Sequence, residues 1–230
     1  MRSRLVLAAV LTVAVSATAL GAIGVPRDLA ARHWTEITFD GKPANTYRAC
    51  GADCVEVSTD KSVSLIAMPR RVNLTRFPKL TWQWKVEGRV APTDLTTKGK
   101  DDRAVALYVT FPYDPDTASL SERLLRPLVE LARGKDAPGH TLSYVWSGYG
   151  RPGEVVRSPY YGSVNVMIVA RNGSAPLGRW LTETVDVAAD HLRVFGHPAT
   201  HTADILIGAD SDDTGNRNRA FVRHIAFAAR

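Results

Sequence analysis

An acidic loop near the end of the chain carries the oxygen-bearing side chains that hard cations bind. These side chains recur along a short turning segment of the 230-residue sequence, at Asp210, Asp212, Asp213 and Thr214. Calcium takes several such oxygens at about 2.4 Å, and the spacing resembles the first half of a calcium-binding loop. The twelfth position of such a loop is acidic, whereas Phe221 stands there in this chain. The pattern predicts either a calcium site at these four residues or a surface turn whose side chains bond their own backbone.

A second acidic pair, Asp101 and Asp102, comes directly before a buried apolar run. Neighbouring residues of an extended chain point in opposite directions, so the two carboxylates are not expected to act on one substrate atom. We predict that Asp101 and Asp102 contact a ligand; the alternative is that one of them pairs with Arg103 or Lys100 or caps a turn. A distant carboxylate, Glu154 or Asp210, would complete a glycosidase-like pair if it lay about 5 to 10 Å away.

Aromatic side chains offer a third kind of chemistry, because flat exposed rings stack on sugar rings. The Gly- and Pro-rich stretch 147–162 contains three tyrosines that are expected to be exposed contact residues, Tyr149, Tyr160 and Tyr161. Trp82 and Trp84 share one strand face with apolar neighbours. They are therefore interpreted as core residues.

Other site types are not supported by the sequence. The formal charge is +6, but the basic residues are scattered and mixed with acidic ones. Nucleic-acid binding requires a concentrated basic face, so no nucleic-acid partner is expected. His197 and His201 are four residues apart with a proline between them, which favours surface histidines over metal ligands. The chain has no phosphate-binding loop, dinucleotide fingerprint or serine-nucleophile elbow.

Cys50 and Cys54 are the only cysteines, and they flank a short Gly-Ala-Asp turn between two strand-like segments. A pair across such a hairpin lies within disulfide reach. The sequence therefore predicts a disulfide, with free or metal-bound thiols as the alternative.

The N-terminal segment has the layout of a secretory signal peptide. Arg2 and Arg4 precede the uncharged apolar run 5–20, and the small residues 17–19 predict cleavage after Ala19. The uncharged stretch extends to Val25, and about 20 apolar residues suffice to span a bilayer, so an uncleaved anchor is the alternative. Either outcome predicts a periplasmic or secreted protein with residues 20–230 as a single domain.

Strand patterns dominate the elements that must position these residues. Residues 79–86 alternate strictly between apolar and polar, and 104–111 form a nearly continuous apolar run. Further strands are predicted at 34–39, 140–147, 163–170, 203–208 and 220–228.

One inserted helix is predicted near 119–134, where leucines recur at helical spacing after a capping-box pattern. Pro127 should kink or split this helix. Residues 188–195 are expected to add a short helical turn. The fold class that follows is mostly β: an antiparallel two-sheet β-sandwich, jelly-roll-like, with one inserted helix. Closed barrels and open α+β sheets are the alternatives.

The chain resembles the exported bacterial family called domain of unknown function 3047. The matching segments follow the family's order over most of the chain, at 80–86, 101–102, 142–146, 178–180, 185–187 and 210–215. The resemblance implies a secreted or periplasmic protein with a β-rich domain. It implies no reaction, substrate or catalytic residue.

These features favour an exported cell-envelope protein that binds a glycan or envelope polymer without catalysis. A carboxylate-based hydrolase acting on a saccharide is the first alternative, and a structural or protein-interaction component of the envelope is the second. Calcium is the one cofactor indicated. Membrane contact is expected only through the N-terminal segment, if it is retained.

Overall fold

The computed structural model describes residues 24–88 and 90–230. The predicted signal peptide and its cleavage after Ala19 lie outside the described residues. Among the helices that are described, none is long and apolar enough to cross a membrane.

Twelve strands and three helices form the described part of the chain. The first six strands are β1 Thr35–Ile37, β2 Thr46–Ala49, β3 Val55–Asp60, β4 Val63–Pro69, β5 Lys79–Val86 and β6 Arg103–Phe111. The other six are β7 His140–Ser147, β8 Val155–Arg157, β9 Asn165–Arg171, β10 Leu181–Asp186, β11 Asp204–Asp210 and β12 Arg217–Ala228. The helices are α1 Arg27–Ala30, α2 Leu120–Arg133 and α3 Val187–Phe195.

The strands form two sheets that pack face to face. The larger sheet has the order β1-β4-β11-β6-β7-β9-β8, and the smaller has the order β10-β5-β12-β3-β2. All pairs are antiparallel except β7 with β9, which run parallel. The predicted two-sheet sandwich is therefore confirmed, and the larger sheet is mixed. β11 and β12, the last strands of the chain, lie in the interior of the two sheets.

Alternation of side chains along the strands builds the core between the sheets. In β5 the apolar positions are buried, and Trp82 and Trp84 are fully enclosed. Their rings contact aromatic rings of β7 in the opposite sheet, with Trp82 5.4 Å from Tyr144 and Trp84 5.7 Å from Trp146. β6 is buried on both faces, as its apolar run predicts. The core interpretation of the two tryptophans is confirmed.

The predicted disulfide is present between Cys50 and Cys54, whose Cα atoms are 4.9 Å apart. It closes the turn between β2 and β3, where the Cys50 amide also donates to the Cys54 carbonyl. The loop is short, so the bond constrains the unfolded chain little and mainly fixes the turn.

The inserted helix α2 begins with the predicted capping box, in which Ser119 and Glu122 bond each other's backbone amides. The helix runs through Pro127 as one element, so it is not split there. Arg126, buried against the following loop, donates to the carbonyls of Lys135 and Ala137. Among the side chains of this helix that are described, those of Leu120, Leu124 and Leu125 are exposed.

Strand directions divide the sandwich into two ends. β4, β6 and β12 begin, and β3 and β11 finish, at the same end. That end, formed by residues 60–63, 101–103 and 210–217, is called the acidic end below. α2 connects β6 to β7 at the opposite end.

Candidate functional site

The side chain of Arg103 lies at the centre of the acidic end. It is mostly buried, with 15% of its side-chain surface exposed. Its Nη2 atom is 3.1 Å from Asp210 Oδ2 and its Nη1 atom is 3.5 Å from Asp101 Oδ2. Nε donates to the hydroxyl of Tyr108 at 3.2 Å. The guanidinium therefore joins the start of β6 to the end of β11.

Asp102 points away from Arg103 and holds the acidic loop. Its Oδ1 accepts from the amide of Asp213 at 3.3 Å, and its Oδ2 accepts from the amide of Thr214 at 2.7 Å. The Thr214 hydroxyl also donates to Asp102 Oδ2. The two acidic segments of the sequence therefore meet, and the neighbouring aspartates 101 and 102 serve different partners, as their opposite directions predict.

Three carboxylates converge closely enough to share one ion. Oxygen atoms from Asp102, Asp210 and Asp212 all lie within 4.8 Å of one another. Two oxygens that each bind calcium at about 2.4 Å are separated by no more than about twice that distance, so the group fits such an ion. We call these three residues the acidic cluster. It is the only group of this kind among the residues that the structure describes.

Charge is not balanced around the acidic cluster. Five carboxylates lie there, those of Asp101, Asp102, Asp210, Asp212 and Asp213. Two cations face them: Arg103, and Lys42, which pairs with Asp212 and lies 3.9 Å from Asp213 Oδ1. With all five acids ionised, five minus two leaves an excess of three negative charges. Such an excess attracts a cation or a proton.

Asp210 shows this excess most clearly. Its Oδ1 atom is buried and has no hydrogen-bond partner. Burial raises the pKa of Asp210 to about 8; Arg103 opposes that rise, and the charges of Asp102 and Asp101 add to it. A buried carboxylate oxygen without a hydrogen-bond partner destabilises the folded protein. Binding of a proton or a cation at this atom would remove that cost.

A small cavity adjoins the acidic cluster. Its volume is about 20 Å³, and Asp102, Asp210, Thr214 and Asn218 are among its lining residues. That volume exceeds the space of about 10–15 Å³ that one water-sized particle needs. Asn218 Oδ1, a further oxygen of this lining, is buried without a partner. At the acidic end, a cavity large enough for one water-sized particle therefore lies beside oxygen atoms that have no hydrogen-bond partner.

The four predicted calcium ligands occupy different places around this cavity. Asp210 and Asp212 belong to the acidic cluster. The Asp213 carboxylate lies toward Lys42, and the Thr214 hydroxyl donates to Asp102. The assignment of all four residues as ligands stays a prediction, and the geometry adds Asp102 as a candidate that the sequence pattern did not indicate for this role.

Among the predicted tyrosines, Tyr160 is tied to the acidic end. Its hydroxyl accepts from the amide of Gly99 at 3.1 Å, and Lys98 Nζ lies 5.3 Å from its ring centroid. About half of Tyr160 is exposed. Tyr149 and Tyr161 are also exposed. Within the described ranges, no side-chain hydrogen bond links either of them to the acidic cluster.

A histidine cluster at the opposite end was missed by the sequence analysis. His140 Nδ1 is 3.3 Å from His191 Nε2, and His140 Nε2 is 3.3 Å from Glu122 Oε1. His191 Nδ1 bonds the carbonyl of His197 at 2.9 Å, and burial lowers the pKa of His191 to about 4. These residues lie far apart in the sequence, so spacing gave no signal. His197 contacts this group, whereas His201 bonds Thr200.

Several solved structures resemble this chain at low identity. The xyloglucanase domain of NopAA from Sinorhizobium fredii, in complex with cellobiose, is 10% identical, with a TM-score of 0.47 over 86% of this chain and 95% of that one. Endoglucanase Cel12A from Rhodothermus marinus is 8% identical, with a TM-score of 0.46 over 89% and 95%. At these scores the similarity identifies no ligand or reaction for this chain.

Sequence comparison gives a firmer result. A comparison with curated proteins found no match. The family described as "Protein of unknown function (DUF3047)" matches residues 32–226. That range contains both segments of the acidic cluster, the disulfide, the first eleven strands and all but the last two residues of β12. Because the match spans most of the sequence, the chain belongs to the DUF3047 family.

Proposed function

We propose that the protein is an exported, non-catalytic binding module of the cell envelope that binds a glycan or envelope polymer with the help of calcium. The observation that carries the proposal is the buried, unpartnered Oδ1 of Asp210 beside the carboxylates of Asp102 and Asp212. A calcium ion in the acidic cluster would supply the missing partner and offset the excess negative charge.

Calcium bound there would order the surface that meets a polymer. Asp101 and Asp102 end the loop that contains Lys98 and Gly99, and this loop contacts Tyr160. A cation that fixes Asp102 would therefore hold the Tyr160 ring in place. An exposed ring in a fixed position stacks on a sugar at a lower entropic cost.

Burial of the carboxylates argues against a hydrolase. Asp102 and Asp210 do converge, as a pair of catalytic acids would. However, Asp101 and Asp102 are only 5% and 2% exposed. Asp101 and Asp210 both pair with Arg103, and Asp102 accepts bonds from the acidic loop. A glycosidase needs two acids that reach the scissile bond, so binding fits this geometry better than hydrolysis.

The outward leucines of α2 favour a second candidate function. Leu120, Leu124 and Leu125 are exposed on an element whose Arg126 is turned toward the protein. Exposed apolar patches of this kind mark contact surfaces. A structural or protein-interaction component of the envelope would use that patch, at the end of the sandwich opposite the acidic cluster.

Calcium should stabilise the protein, and Asp210 should be required for the effect. At a concentration about 100 times the dissociation constant, calcium adds about 2.7 kcal/mol of stability. For a domain of this size we expect a rise in melting temperature of about 5–10 °C over the protein in EDTA. Asp210→Asn should remove that rise. Asp60→Asn, which alters an exposed pair with Arg217 at the same end, should retain it. Equal melting temperatures of the wild type in calcium and EDTA would contradict the site.

The pH dependence of this effect has a definite sign. The raised pKa of Asp210 means that the folded protein keeps a proton that the unfolded chain releases above about pH 4. Without calcium, the Asp210 contribution to stability is therefore present at acidic pH and is lost as pH rises toward 8. Calcium displaces this proton, so its affinity should increase over the same interval. Asp210→Asn should lack both trends.

Retention on envelope polymers tests the binding function itself. Wild type in calcium should be retained on peptidoglycan or on glycan-array spots. Replacing Tyr149, Tyr160 and Tyr161 together with Ala should weaken retention about tenfold or more, since each stacked ring contributes about 0.5–1.5 kcal/mol. Tyr113→Ala, at the opposite end, should leave retention unchanged. Unchanged retention of the triple variant would remove the tyrosine surface from the proposal.

A further inference from the structure

The outer face of the smaller sheet carries an arginine that stacks on a tryptophan. The guanidinium carbon of Arg223, on β12, lies 3.9 Å from the ring centroid of Trp180. Arg223 Nε donates to Gln83 Oε1 on β5 at 2.9 Å, which fixes the plane of the guanidinium. No carboxylate lies within 4.0 Å of this guanidinium in the described part of the chain, so its Nη atoms keep their charge-assisted bonding capacity.

Neighbouring cations on the same face are already neutralised. Lys85 pairs with Glu87 at 2.5 Å, and Arg219 pairs with Glu56 at 2.9 Å. Both also lie over the ring of Phe221, which is buried beneath them. Arg223 therefore differs from its neighbours in having an amide oxygen, that of Gln83, as its polar partner in place of an acid.

A row of polar side chains extends from Arg223 across the neighbouring strands. Gln83 Nε2 donates to the hydroxyl of Thr182 on β10 at 3.1 Å. One step along the sheet, the hydroxyls of Thr81 and Thr184 are 3.0 Å apart. Each hydroxyl retains further donor or acceptor capacity. The face thus offers hydrogen-bonding groups spaced along two strands beside one half-buried cation, Arg223.

A β-bulge shapes the surface next to Arg223. The pairing of β12 with β5 shifts between Arg223 and Ala226, and His224 has a φ of 54°, a conformation that side chains other than glycine rarely adopt. Before the bulge Arg223 faces outward, and after it Ala226 pairs with Thr81 on that face. The larger Ile225 and Phe227 pack against the core instead. At and beyond the bulge, the exposed residues of β12 are His224, Ala226 and Ala228, of which the two alanines are small.

We infer that this face is a second binding site, for a segment of an acidic polysaccharide, with a sugar carboxylate on Arg223 and a sugar ring against Trp180. The row of Thr and Gln side chains bonds the sugar hydroxyls, and the small exposed side chains of Ala226 and Ala228 leave space for an extended chain. The site goes beyond the proposed function, because it lies on the outer face of the other sheet and uses no residue of the acidic cluster.

Affinity electrophoresis in gels containing polygalacturonate tests this site. EDTA in the gel eliminates the acidic cluster as a contributor, so failure here leaves the calcium-dependent function untouched. Polygalacturonate should retard the wild type, and the neutral polymer dextran should not. Arg223→Gln should weaken retardation about tenfold, the effect of losing one charge-assisted hydrogen bond. Arg76→Gln removes the same charge from a distant exposed loop and should behave as wild type.

A second variant separates recognition from net charge and from misfolding. Trp180→Phe keeps the charge of the face and an aromatic ring under Arg223, and should weaken retardation by a smaller factor than Arg223→Gln. Melting temperatures close to that of the wild type would show that both variants fold. Equal retardation of wild type, Arg223→Gln and Arg76→Gln would overturn the site, as would equal loss in both arginine variants.

Discussion

Replacing Arg103 by Met should lower the free energy of unfolding by about 3–5 kcal/mol, the cost of breaking a buried charge pair from one side. The substitution leaves the carboxylates of Asp101 and Asp210 and the hydroxyl of Tyr108 without their shared donor. Methionine fills a similar volume, so little of the loss would come from a cavity. Urea unfolding at neutral pH measures the change.

Arg217→Met is the matched control for that experiment. Arg217 pairs with Asp60 at 2.8 Å at the same end of the sandwich, but 78% of its side chain is exposed. Exposed pairs contribute about 0.2–1 kcal/mol, so this variant should be nearly as stable as the wild type. A loss below about 1 kcal/mol for Arg103→Met would show that the buried carboxylates do not depend on the guanidinium.

Gly148→Ala should be the other strongly destabilising change, by about 2–4 kcal/mol. A Cβ on Gly148 would meet the Ala91 carbonyl oxygen at 1.5 Å and the Thr93 amide nitrogen at 2.9 Å. Both are backbone atoms that cannot rotate away. The Gly148 amide also donates to the Thr93 hydroxyl at 3.1 Å. Relief of the clash requires residues 91–93 to move away from the end of β7.

That movement should also reach the acidic end, because residues 91–93 lead into the loop of Gly99 and Asp102. Gly148→Ala should therefore weaken the calcium response along with stability. Gly153→Ala provides the comparison, since Gly153 has a φ of 87° but open space at its Cβ position. Its cost should be about 1–2 kcal/mol, from backbone conformation alone. Similar urea midpoints for the two variants would mean that the backbone of residues 91–93 does not pack tightly against Gly148.

Strands whose side chains alternate strictly between apolar and polar were predictable from the sequence. The sequence did not predict β8 and β10, and each has a physical reason. β10 contains Glu183 on its inward side, where Trp84 Nε1 donates to Glu183 Oε1 at 2.9 Å and Arg171 Nε lies 2.6 Å from the same oxygen. A charged residue at an inward position hides the apolar period of a strand. β8 has three residues, too few to show a period. The parallel pairing of β7 with β9 depends on how β8 folds back, which local patterns do not encode.

The acidic end was predictable only in parts. The sequence indicated the acidic loop and the Asp101–Asp102 pair separately, because each stands out by composition. Their contact joins residues 111 positions apart, through Asp102 and the amide of Asp213. Only the sheet order, which brings the start of β6 beside the end of β11, determines that contact. The surface at Trp180 and Arg223 was not predicted from the sequence either. It also depends on the sheet order, because three strands and a bulge form it.

The interior positions of β11 and β12 have a consequence for biosynthesis. Each fills a gap between strands encoded much earlier, β11 between β4 and β6, and β12 between β3 and β5. A nascent chain that ends before Asp204 has two incomplete layers with unpaired edges and cannot close its core. Folding of the two sheets must therefore wait until β11 and β12 have been translated, and contacts between such distant segments form slowly. The delay keeps the polypeptide without a closed core while it leaves the ribosome.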